Sequence, residues 1–598
     1  MIRNIIWFLI ALFSIILFWL WKKMSLLPLW GHLPLAVFVL SWGVFLLLLV
    51  QLKYKDKASH QLILLSILSG VVLALGFPPL PLTPVLFVGF IPLFILFKKI
   101  KTEELNYHSW FFVFNAFVIW NILTTYWVAN ASFVPGIVAI WLNSFFMTIP
   151  WLGAIRIGKR LPKWRWISFI IFWLCFEWIH LNWEMSWPWL TLGNAWAALP
   201  QCIQWYEYTG VFGGGVWVLG VNVLLYYLFF DSNHFTFDII WIRQKLFSRL
   251  GVASLIVLIL PFIVSMFLWF NFKETGTTVE VGVVQPNYEP HYEKFKIPED
   301  QQLFQIEKLA AAAVTPNTKF VIFPETSFGE VGGVIRKNNI NQDPRIIRLF
   351  DFMIAHYNVP IVAGITSLND IPADQLPTKF SRAYRDSDPP QYYEIENAAI
   401  ILKAKEEPIP LYRKSKLVPG AEIFPYKNIL PFLKPLVDQL GGTTAGLATQ
   451  EKRMVFESNT LKIAPVICYE SIYGQFVRGY INLGAQAIFI MTNDGWWDDT
   501  PGYKQHLAFG ALRAIEFRKP VIRSANTGIS CFINARGQVS HSTKYGKEAG
   551  FYANCTFSDA KTIYAYFGDW IAYLALILGA ILIIYSFFLK FTNSLPRS

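Results

Sequence analysis

The sequence predicts a multi-span α-helical membrane protein that carries one α/β domain outside the cytoplasm. Composition, the placement of tryptophan and the placement of basic residues predict it. Hydrophobic residues make up 55% of the 598 positions and charged residues only 15%, against about 25% in ordinary soluble domains. Mean hydropathy is +0.42. Such a chain is neither disordered nor purely soluble. Its 52 Phe, 25 Trp and 25 Tyr suit membrane interfaces, where amphipathic rings settle at headgroup level.

Tryptophan divides the chain. Of the 25, 22 lie at or before Trp269, only Trp496 and Trp497 lie between 272 and 565, and Trp570 opens a last apolar run. Nine runs of near-spanning length, about 20 residues each, precede the Trp-poor block. They cover 4–21, 27–50, 62–79, 82–98, 109–129, 132–156, 166–183, 212–230 and 250–270, and a tenth covers 569–590. The first is a poor cleavable signal, because Arg3 is its only upstream charged side chain and Ser-Leu-Leu-Pro follows it.

The net charge of +12 would suggest nucleic acid in a soluble protein. Here it belongs to loops. Lys53, Lys55 and Lys57 follow run two; Lys98, Lys99 and Lys101 follow run four. Arg156, Lys159, Arg160, Lys163 and Arg165 follow run six; Arg243, Lys245 and Arg249 follow run eight. Basic loops stay cytoplasmic, so the N-terminus is expected inside and 272–565 outside, with Lys590 and Arg597 returning inside. Lys22 and Lys23, after run one, go against the pattern. Five scattered cysteines (Cys175, Cys202, Cys468, Cys531, Cys555) form no CxxC pair, so neither a disulfide framework nor a thiolate zinc site is indicated.

Within 272–565, β-branched runs alternate with helical stretches. Strands are expected at 279–284, 319–323, 359–365, 397–403, 461–467 and 486–492, and helices near 298–314, 344–357 and 502–518. Uniformly apolar strands of this kind are covered on both faces. Three reactive residues follow them: Glu325 after Phe-Val-Ile-Phe-Pro, Lys414 after Pro-Leu-Tyr-Arg, and Cys468 after Lys-Ile-Ala-Pro-Val-Ile. Open α/β sheets hold ligands at the carboxyl ends of strands. A base, a cation and a thiol meeting there suit acyl transfer: the carboxylate accepts the thiol proton, the sulfur attacks a carbonyl, and the cation stabilises the oxyanion. Each residue taken singly also fits a bland role, as a solvated cap, a surface charge or a small buried side chain.

These segments resemble the nitrilase, or carbon–nitrogen hydrolase, superfamily. With the membrane runs, the chain from roughly 62 to 590 resembles its apolipoprotein N-acyltransferase family. The shared motifs are Gly-Phe-Pro-Pro (76–79), Ser-Trp-Pro-Trp-Leu (186–190), Val-Val-Gln-Pro-Asn (283–287) and Phe-Pro-Glu-Thr (323–326). They continue through Tyr-Arg-Lys-Ser-Lys-Leu-Val-Pro-Gly-Ala-Glu (412–422), Ile-Cys-Tyr-Glu-Ser (467–471), Thr-Asn-Asp-Gly-Trp-Trp (492–497) and Arg-Ser-Ala-Asn-Thr-Gly-Ile-Ser (523–530). Their order, flanked by spans on both sides, is more specific than any one of them. The sequence departs from the family's Lys-Trp at Lys294-Phe295 and from its Asn-Asp-Ala-Trp-Phe at 493–497.

The resemblance implies a nitrilase-like αββα sandwich at 272–565. It also implies a division into an N-terminal extension with two transmembrane helices (1–58), a core bundle (59–271), the catalytic domain, and a C-terminal anchor (566–598). It implies Glu325 as general base, Lys414 as oxyanion holder, Cys468 as nucleophile, and Glu422, Tyr469 and Glu470 as supporting residues. The Tyr469 N–H is a natural second oxyanion donor. A phospholipid, typically phosphatidylethanolamine, would acylate Cys468, and a diacylglyceryl-cysteine lipoprotein would take the chain on its α-amine, with no metal or organic cofactor. The place of action would be the periplasmic side of a bacterial inner membrane. No nucleic acid is expected, and a monomer is the default.

Both lipid substrates would reach the site by lateral diffusion, since burial of each CH₂ is worth about 0.8 kcal/mol. Phe295, Trp496 and Trp497, with Leu417-Val418-Pro419, are candidates for a lipid-facing lid or for ordinary packing. The alternative is a membrane-tethered amidase or nitrilase that hydrolyses a small amide. Ten runs exceed what tethering needs. A transporter or sensor with an inert outer domain would not need all three reactive residues. Within the membrane part, Glu177 is expected to be functional or part of a packing network, Glu184 to meet solvent, and His180 to be a satisfied interface residue.

Overall fold

Each apolar run folds as a helix, and proline and glycine set the ends. The computed structural model describes residues 2–231, 238–385, 387–404, 408–427, 429 and 446–592. Eight helices among them are long and apolar enough to cross a membrane: Asn4–Met24, Leu33–Leu52, Lys57–Leu75, Thr83–Thr102, Phe133–Arg160, Val211–Phe230, Arg249–Asn271 and Trp570–Leu589. Ser109–Thr125 is a shorter apolar helix, and Arg165–Asn182 is a further helix of 18 residues. The second helix begins at Leu33, later than 27, with Pro34 in its first turn, where a missing N–H costs nothing. The run at 82–98 divides into a 3₁₀ turn, Thr83–Val88, and a helix, Ile91–Thr102, each with proline at its start. Of the expected cytoplasmic tail, Arg597 and the Lys590 side chain lie outside the described residues.

The chain up to Phe270 and the segment from Asp569 form one compact unit; Asn271–Gly568 forms another. In the first unit, several buried polar side chains pair with each other, which lowers their cost in hydrocarbon. Trp42 Nε1 donates to Asn115 Oδ1 at 2.7 Å, and Asn115 Nδ2 donates to Ser66 Oγ at 2.6 Å. This chain of bonds ties Leu33–Leu52 to the helices behind it. Asn143 Nδ2 donates to Asn121 Oδ1 at 2.7 Å. Glu177 belongs to a packing network: its Oε1 accepts from Trp173 Nε1 at 2.9 Å and from the Leu192 N–H at 2.8 Å. His180 corrects the expectation of a satisfied residue. It is buried, and neither ring nitrogen has a partner among the described residues. Apolar stacking places it instead, with Phe176 at 5.1 Å and Trp183 at 5.3 Å between ring centres.

The second unit is two sheets face to face with helices outside. Its strands are β1 (Thr277–Gln285), β2 (Thr318–Ile322), β3 (Ile335–Arg336), β4 (Ile361–Ile371), β5 (Arg382–Ala383), β6 (Tyr392–Leu402) and β7 (Leu411–Arg413). They continue as β8 (Phe456–Ser458), β9 (Leu461–Ile467), β10 (Ala487–Thr492), β11 (Val521–Ala525), β12 (Cys531–Ile533), β13 (Val539–Ser540) and β14 (Ala549–Phe557). One sheet has the order β14-β1-β2-β4-β6-β5, with β3 on β4 and β7 on β6; the other is β13-β12-β11-β10-β9-β8. The central pairs β1–β2, β2–β4, β9–β10 and β10–β11 are parallel. β1 and β14 run antiparallel from Thr277↔Phe557 to Gln285↔Ala549. Between the sheets Phe320 meets Phe489 edge-on at 5.6 Å, and Ser524 Oγ donates to Val284 O at 2.7 Å. Helices Glu299–Ala312 and Pro344–Ala355 bury Leu303, Ile306, Leu349 and Met353 on the first sheet. Gly474–Asn482 and Pro501–Phe517 cover the second; Gly510 lets the latter approach Ile490 and Ile533. The result is an αββα sandwich.

All six expected strands and all three expected helices are present. Of the strands not expected, β7, β8, β12 and β13 are short, β14 has exposed positions, and the fully buried β11 carries Arg523 and Ser524 in place of an apolar run. β14 alternates partly exposed and buried positions, so it lacks the uniform apolar signal of a strand covered on both sides.

Candidate active site

The carboxyl ends of parallel strands from both sheets converge. Glu325 follows β2 after Phe323-Pro324, Cys468 directly follows β9, and Asn493 directly follows β10. Lys414 directly follows β7, whose ladder partner β6 carries Asn397; the Lys414 N–H donates to Asn397 O at 2.8 Å. Gly364 of β4 lies against the Glu325 turn so closely that a Cβ there would stand 2.6 Å from Pro324 O and 2.7 Å from Glu325 Cα. No side chain larger than hydrogen fits without moving the carboxylate.

The Lys414 ammonium sits between two carboxylates. Nζ donates to Glu325 Oε1 at 2.9 Å and to Glu422 Oε1 at 2.7 Å. Asn397 Nδ2 donates to Glu325 Oε1 at 2.8 Å and to Glu422 Oε1 at 3.3 Å. The far oxygens accept from backbone: Glu325 Oε2 from the Asn493 N–H at 3.2 Å, and Glu422 Oε2 from the Val418 N–H at 2.8 Å. Burial works against the ammonium, and Glu325 and Glu422 overcome it, holding Lys414 well above the usual lysine range. Both carboxylates therefore have a permanent cation beside them.

Cys468 is buried at the turn from β9 into the 3₁₀ segment Cys468–Ile472, with φ +47°. A non-glycine residue in this left-handed region is strained by about 1–3 kcal/mol and needs its surroundings to hold it there. A nucleophile on such an elbow has its side chain thrust clear of the backbone. Burial pushes the thiol far above its ordinary range; Glu325 adds to the rise, and Lys414 opposes it. The resting group is the thiol, so attack requires a base.

Buried side chains pin this turn. Ser471 Oγ donates to Cys468 O at 2.7 Å. His506 Nε2 stands 2.9 Å from Ser471 Oγ and 3.2 Å from Cys468 O. Its Nδ1 stands 2.9 Å from Asp494 Oδ1, and Arg523 pairs with Asp494 Oδ2. Burial and then Arg523 lower the His506 pKa, so the ring is neutral at neutral pH. Burial works against the Asp494 carboxylate, but Arg523 and His506 hold it below the usual range. Glu470 ties the Cys468 turn to the Lys414 loop: Oε2 accepts from the Ile467 N–H at 2.9 Å, and Oε1 accepts from Tyr412 OH at 2.7 Å and the Ser415 N–H at 2.6 Å. Burial pushes its carboxyl up to about 7. The Glu325 turn has its own pin. Thr326 is also left-handed, at φ +46°, and the buried Lys294 ammonium donates to Thr326 O at 2.8 Å and Oγ1 at 2.9 Å while pairing with Glu330.

Glu325, Lys414, Cys468 and Glu470 are thus buried together, with the partly exposed Glu422 bonded to the same ammonium. The Tyr469 ring is buried beside Tyr473, with ring centres 5.3 Å apart. The aromatic residues behave unequally. Phe295 is 53% exposed and Trp496 37% exposed, whereas Trp497 packs edge-on against His506 at 5.5 Å. Sequence reasoning did not single out Asn397, His506, Ser471 or Lys294. Asn397 had a usable signal, being the polar residue in mid-β6 just before the apolar run Ala398–Leu402. His506 lies one turn into a helix and carries no such mark.

Two family models match the chain. The "Apolipoprotein N-acyltransferase N-terminal domain" matches residues 69–224 and "Carbon-nitrogen hydrolase" matches 280–564. Among curated proteins, an apolipoprotein N-acyltransferase of Chlorobaculum tepidum is 26% identical over 87% of this chain and 95% of its own length. One of Geobacter metallireducens is 23% identical over 88% and 95%, and one of Rickettsia prowazekii is 26% identical over 80% and 88%. Among solved structures, Saccharomyces cerevisiae Nit3, of the nitrilase superfamily, aligns at TM-score 0.32 and 16% identity, covering 49% of this chain and 94% of Nit3. A Nesterenkonia amidase aligns at 0.32 and 14%, covering 48% and 92%.

The geometry makes two predictions. Glu325→Gln can keep the Lys414 and Asn397 contacts to one oxygen but sets an amide N–H against the Asn493 N–H and removes the carboxylate placed to accept a proton near Cys468. The activity should therefore fall by about 10²–10⁴-fold, read in single-turnover assays alongside thermal melting. His506→Ala frees the Cys468 peptide, and the resulting misplacement should lower kcat about 10²-fold with KM little changed. His506→Gln should recover part of that loss, while thermal melting distinguishes misplacement from unfolding.

Proposed function

We propose that this chain, which belongs to the apolipoprotein N-acyltransferase family, moves an acyl chain from a membrane phospholipid to the N-terminal amine of a diacylglyceryl-cysteine lipoprotein. In the first half-reaction Cys468 Sγ attacks the sn-1 ester carbonyl as Glu325 takes the thiol proton. The oxyanion forms beside the Lys414 ammonium and the Tyr469 N–H. Its collapse breaks the ester C–O bond, Glu325 returns the proton to the departing glycerol oxygen, and a lysophospholipid leaves a thioester on Cys468. In the second half-reaction the lipoprotein α-amine attacks the thioester and gives its proton to Glu325. The C–S bond breaks, the sulfur recovers that proton, and the product is an amide. Glu422 and Glu470 are positioning residues for Lys414 and Cys468. Phe295 and Trp496 are the lid residues, guarding the thioester from water.

What carries this function is the Glu325–Lys414–Glu422 cluster beside a strained Cys468, in a chain whose described residues include eight helices long and apolar enough to cross a membrane. A diacyl substrate cannot be collected from water, and a membrane protein meets it in the bilayer. Phosphatidylethanolamine is the proposed donor and a monomer the proposed state. The proposed division is 1–58, 59–271, 272–565 and 566–598, with the catalytic domain periplasmic on a bacterial inner membrane and both termini cytoplasmic. The basic loops after alternate runs support that orientation.

With phospholipid and a synthetic diacylated lipopeptide, the purified protein should add one amide-linked acyl chain to the peptide, and Cys468→Ser should abolish it without unfolding the membrane part. Release of free fatty acid with no acylated peptide would instead identify a hydrolase. For orientation, single cysteines are placed at Lys57 and Asp343 in a chain lacking its native ones. An impermeant thiol reagent on cells with a permeabilised outer membrane should label Asp343→Cys and spare Lys57→Cys; the reverse pattern overturns the topology.

A further inference from the structure

Helices Phe133–Arg160, Arg165–Asn182 and Trp570–Thr592 enclose a groove of about 580 Å³ in the membrane unit. Its walls are apolar along most of their length, with Phe146, Pro150, Phe176 and Ala580 among them. Pro150, inside its helix, has no N–H to donate to the Phe146 carbonyl. From Phe146 to Arg160 the groove follows fourteen residues, about 21 Å at 1.5 Å per residue. That exceeds the depth of one leaflet, about 15 Å, half of a hydrocarbon core of about 30 Å.

The two ends differ. At one, Arg160 NH1 donates to Ser586 O at 2.8 Å and to Ser586 Oγ at 2.6 Å, tying two of the helices together. At the other, His180 and Trp183 line the groove with no hydrogen-bond partner on either imidazole nitrogen or on the indole N–H. His180 is only 6% exposed. Donors left unpaired in hydrocarbon cost free energy, and the protein supplies no acceptor for them among the described residues. They lie at the C-terminal end of their helix, and an ester carbonyl, the most abundant acceptor a bilayer lipid carries close to its acyl chains, has the chemistry to meet them.

We propose that this groove is a binding site for one glycerophospholipid, with an ester carbonyl accepting hydrogen bonds from His180 and Trp183 and its acyl chain lying along the groove toward Arg160. No bond is made or broken. The lipid completes the packing of three helices, and its binding is independent of the acyl-transfer chemistry proposed above.

The test uses the full-length protein in nanodiscs of phosphatidylethanolamine and phosphatidylglycerol, released and weighed by native mass spectrometry. One phospholipid should stay bound after the others are stripped. His180→Phe with Trp183→Phe keeps the ring packing but removes the donors, and should cut the retained fraction by about tenfold, the effect of two membrane hydrogen bonds of about 0.6–0.8 kcal/mol each. Ala580→Trp should fill the groove and abolish retention, whereas Ile581→Trp, exposed on the side of the same helix turned away from the groove, should leave it intact. A phospholipid with a photoreactive acyl chain should crosslink the unaltered protein at 146–157 and 172–179, a result that does not depend on any variant folding. Equal retention in every variant, or crosslinks spread over all helices, would mean annular lipid only and overturn the site. Loss with Ala580→Trp but not with the double variant would overturn the role of His180 and Trp183.

Discussion

A single buried ammonium organises the chemistry of this molecule. Lys414 carries one positive charge between the carboxylates of Glu325 and Glu422, out of contact with water. Stripping Lys414 and Glu325 of solvent is expensive, and only close pairing with complete hydrogen bonding offsets it, with the partly exposed Glu422 supplying the second carboxylate. The supporting donors follow from that need: Asn397 bridges both carboxylates, and backbone N–H groups from two different loops reach the outer oxygens. Removing one partner of such a buried pair costs about 3–5 kcal/mol, so the cluster is one unit rather than three residues. Burial is also the main reason the thiol keeps its proton, with Glu325 adding to the rise and Lys414 opposing it. A thiolate beside the cluster would add a second net negative charge in the same dry space.

The same economy appears in the backbone. Two non-glycine residues next to the chemistry, Thr326 and Cys468, hold left-handed conformations. Each strained turn has a dedicated buried clamp: Lys294 with Glu330 on one, Ser471 with His506, Asp494 and Arg523 on the other. Glu470 joins the cation loop to the nucleophile turn through three strong acceptor contacts. Rigidity here comes from electrostatics set into the sandwich, where low dielectric makes every satisfied bond stronger and every unsatisfied one costlier.

Much of the fold was legible because hydrophobic patterning is a local property. The run 461–467 coincides with β9, and the interior strands read clearly since both faces are covered. Edge elements such as β14 were not legible, since their pairing partners lie far away in sequence. In the site, Glu325, Lys414 and Cys468 are visible as reactive residues following apolar runs. Asn397, His506 and Lys294 are defined by what surrounds them in space: a strand asparagine, a helical histidine and a loop lysine look ordinary until partners from other elements arrive. His180 shows the converse. Its neighbours in sequence suggested a satisfied polar residue, and only three-dimensional packing reveals that it stacks among rings with its nitrogens unpaired.

The antiparallel pairing of β1 with β14 has a consequence for how the molecule is assembled. Thr277 and Phe557 are register neighbours, so the polypeptide enters and leaves the sandwich through adjacent strands at a single edge. Topologically the whole sandwich is one large insertion between two membrane helices, and its ends already meet. Domain insertions of this kind are tolerated when the termini are close together. A loop between two spans can therefore have acquired an entire enzyme without disturbing the order of the helices on either side, and the final strand cannot be laid down until the far end of that insertion has been synthesised.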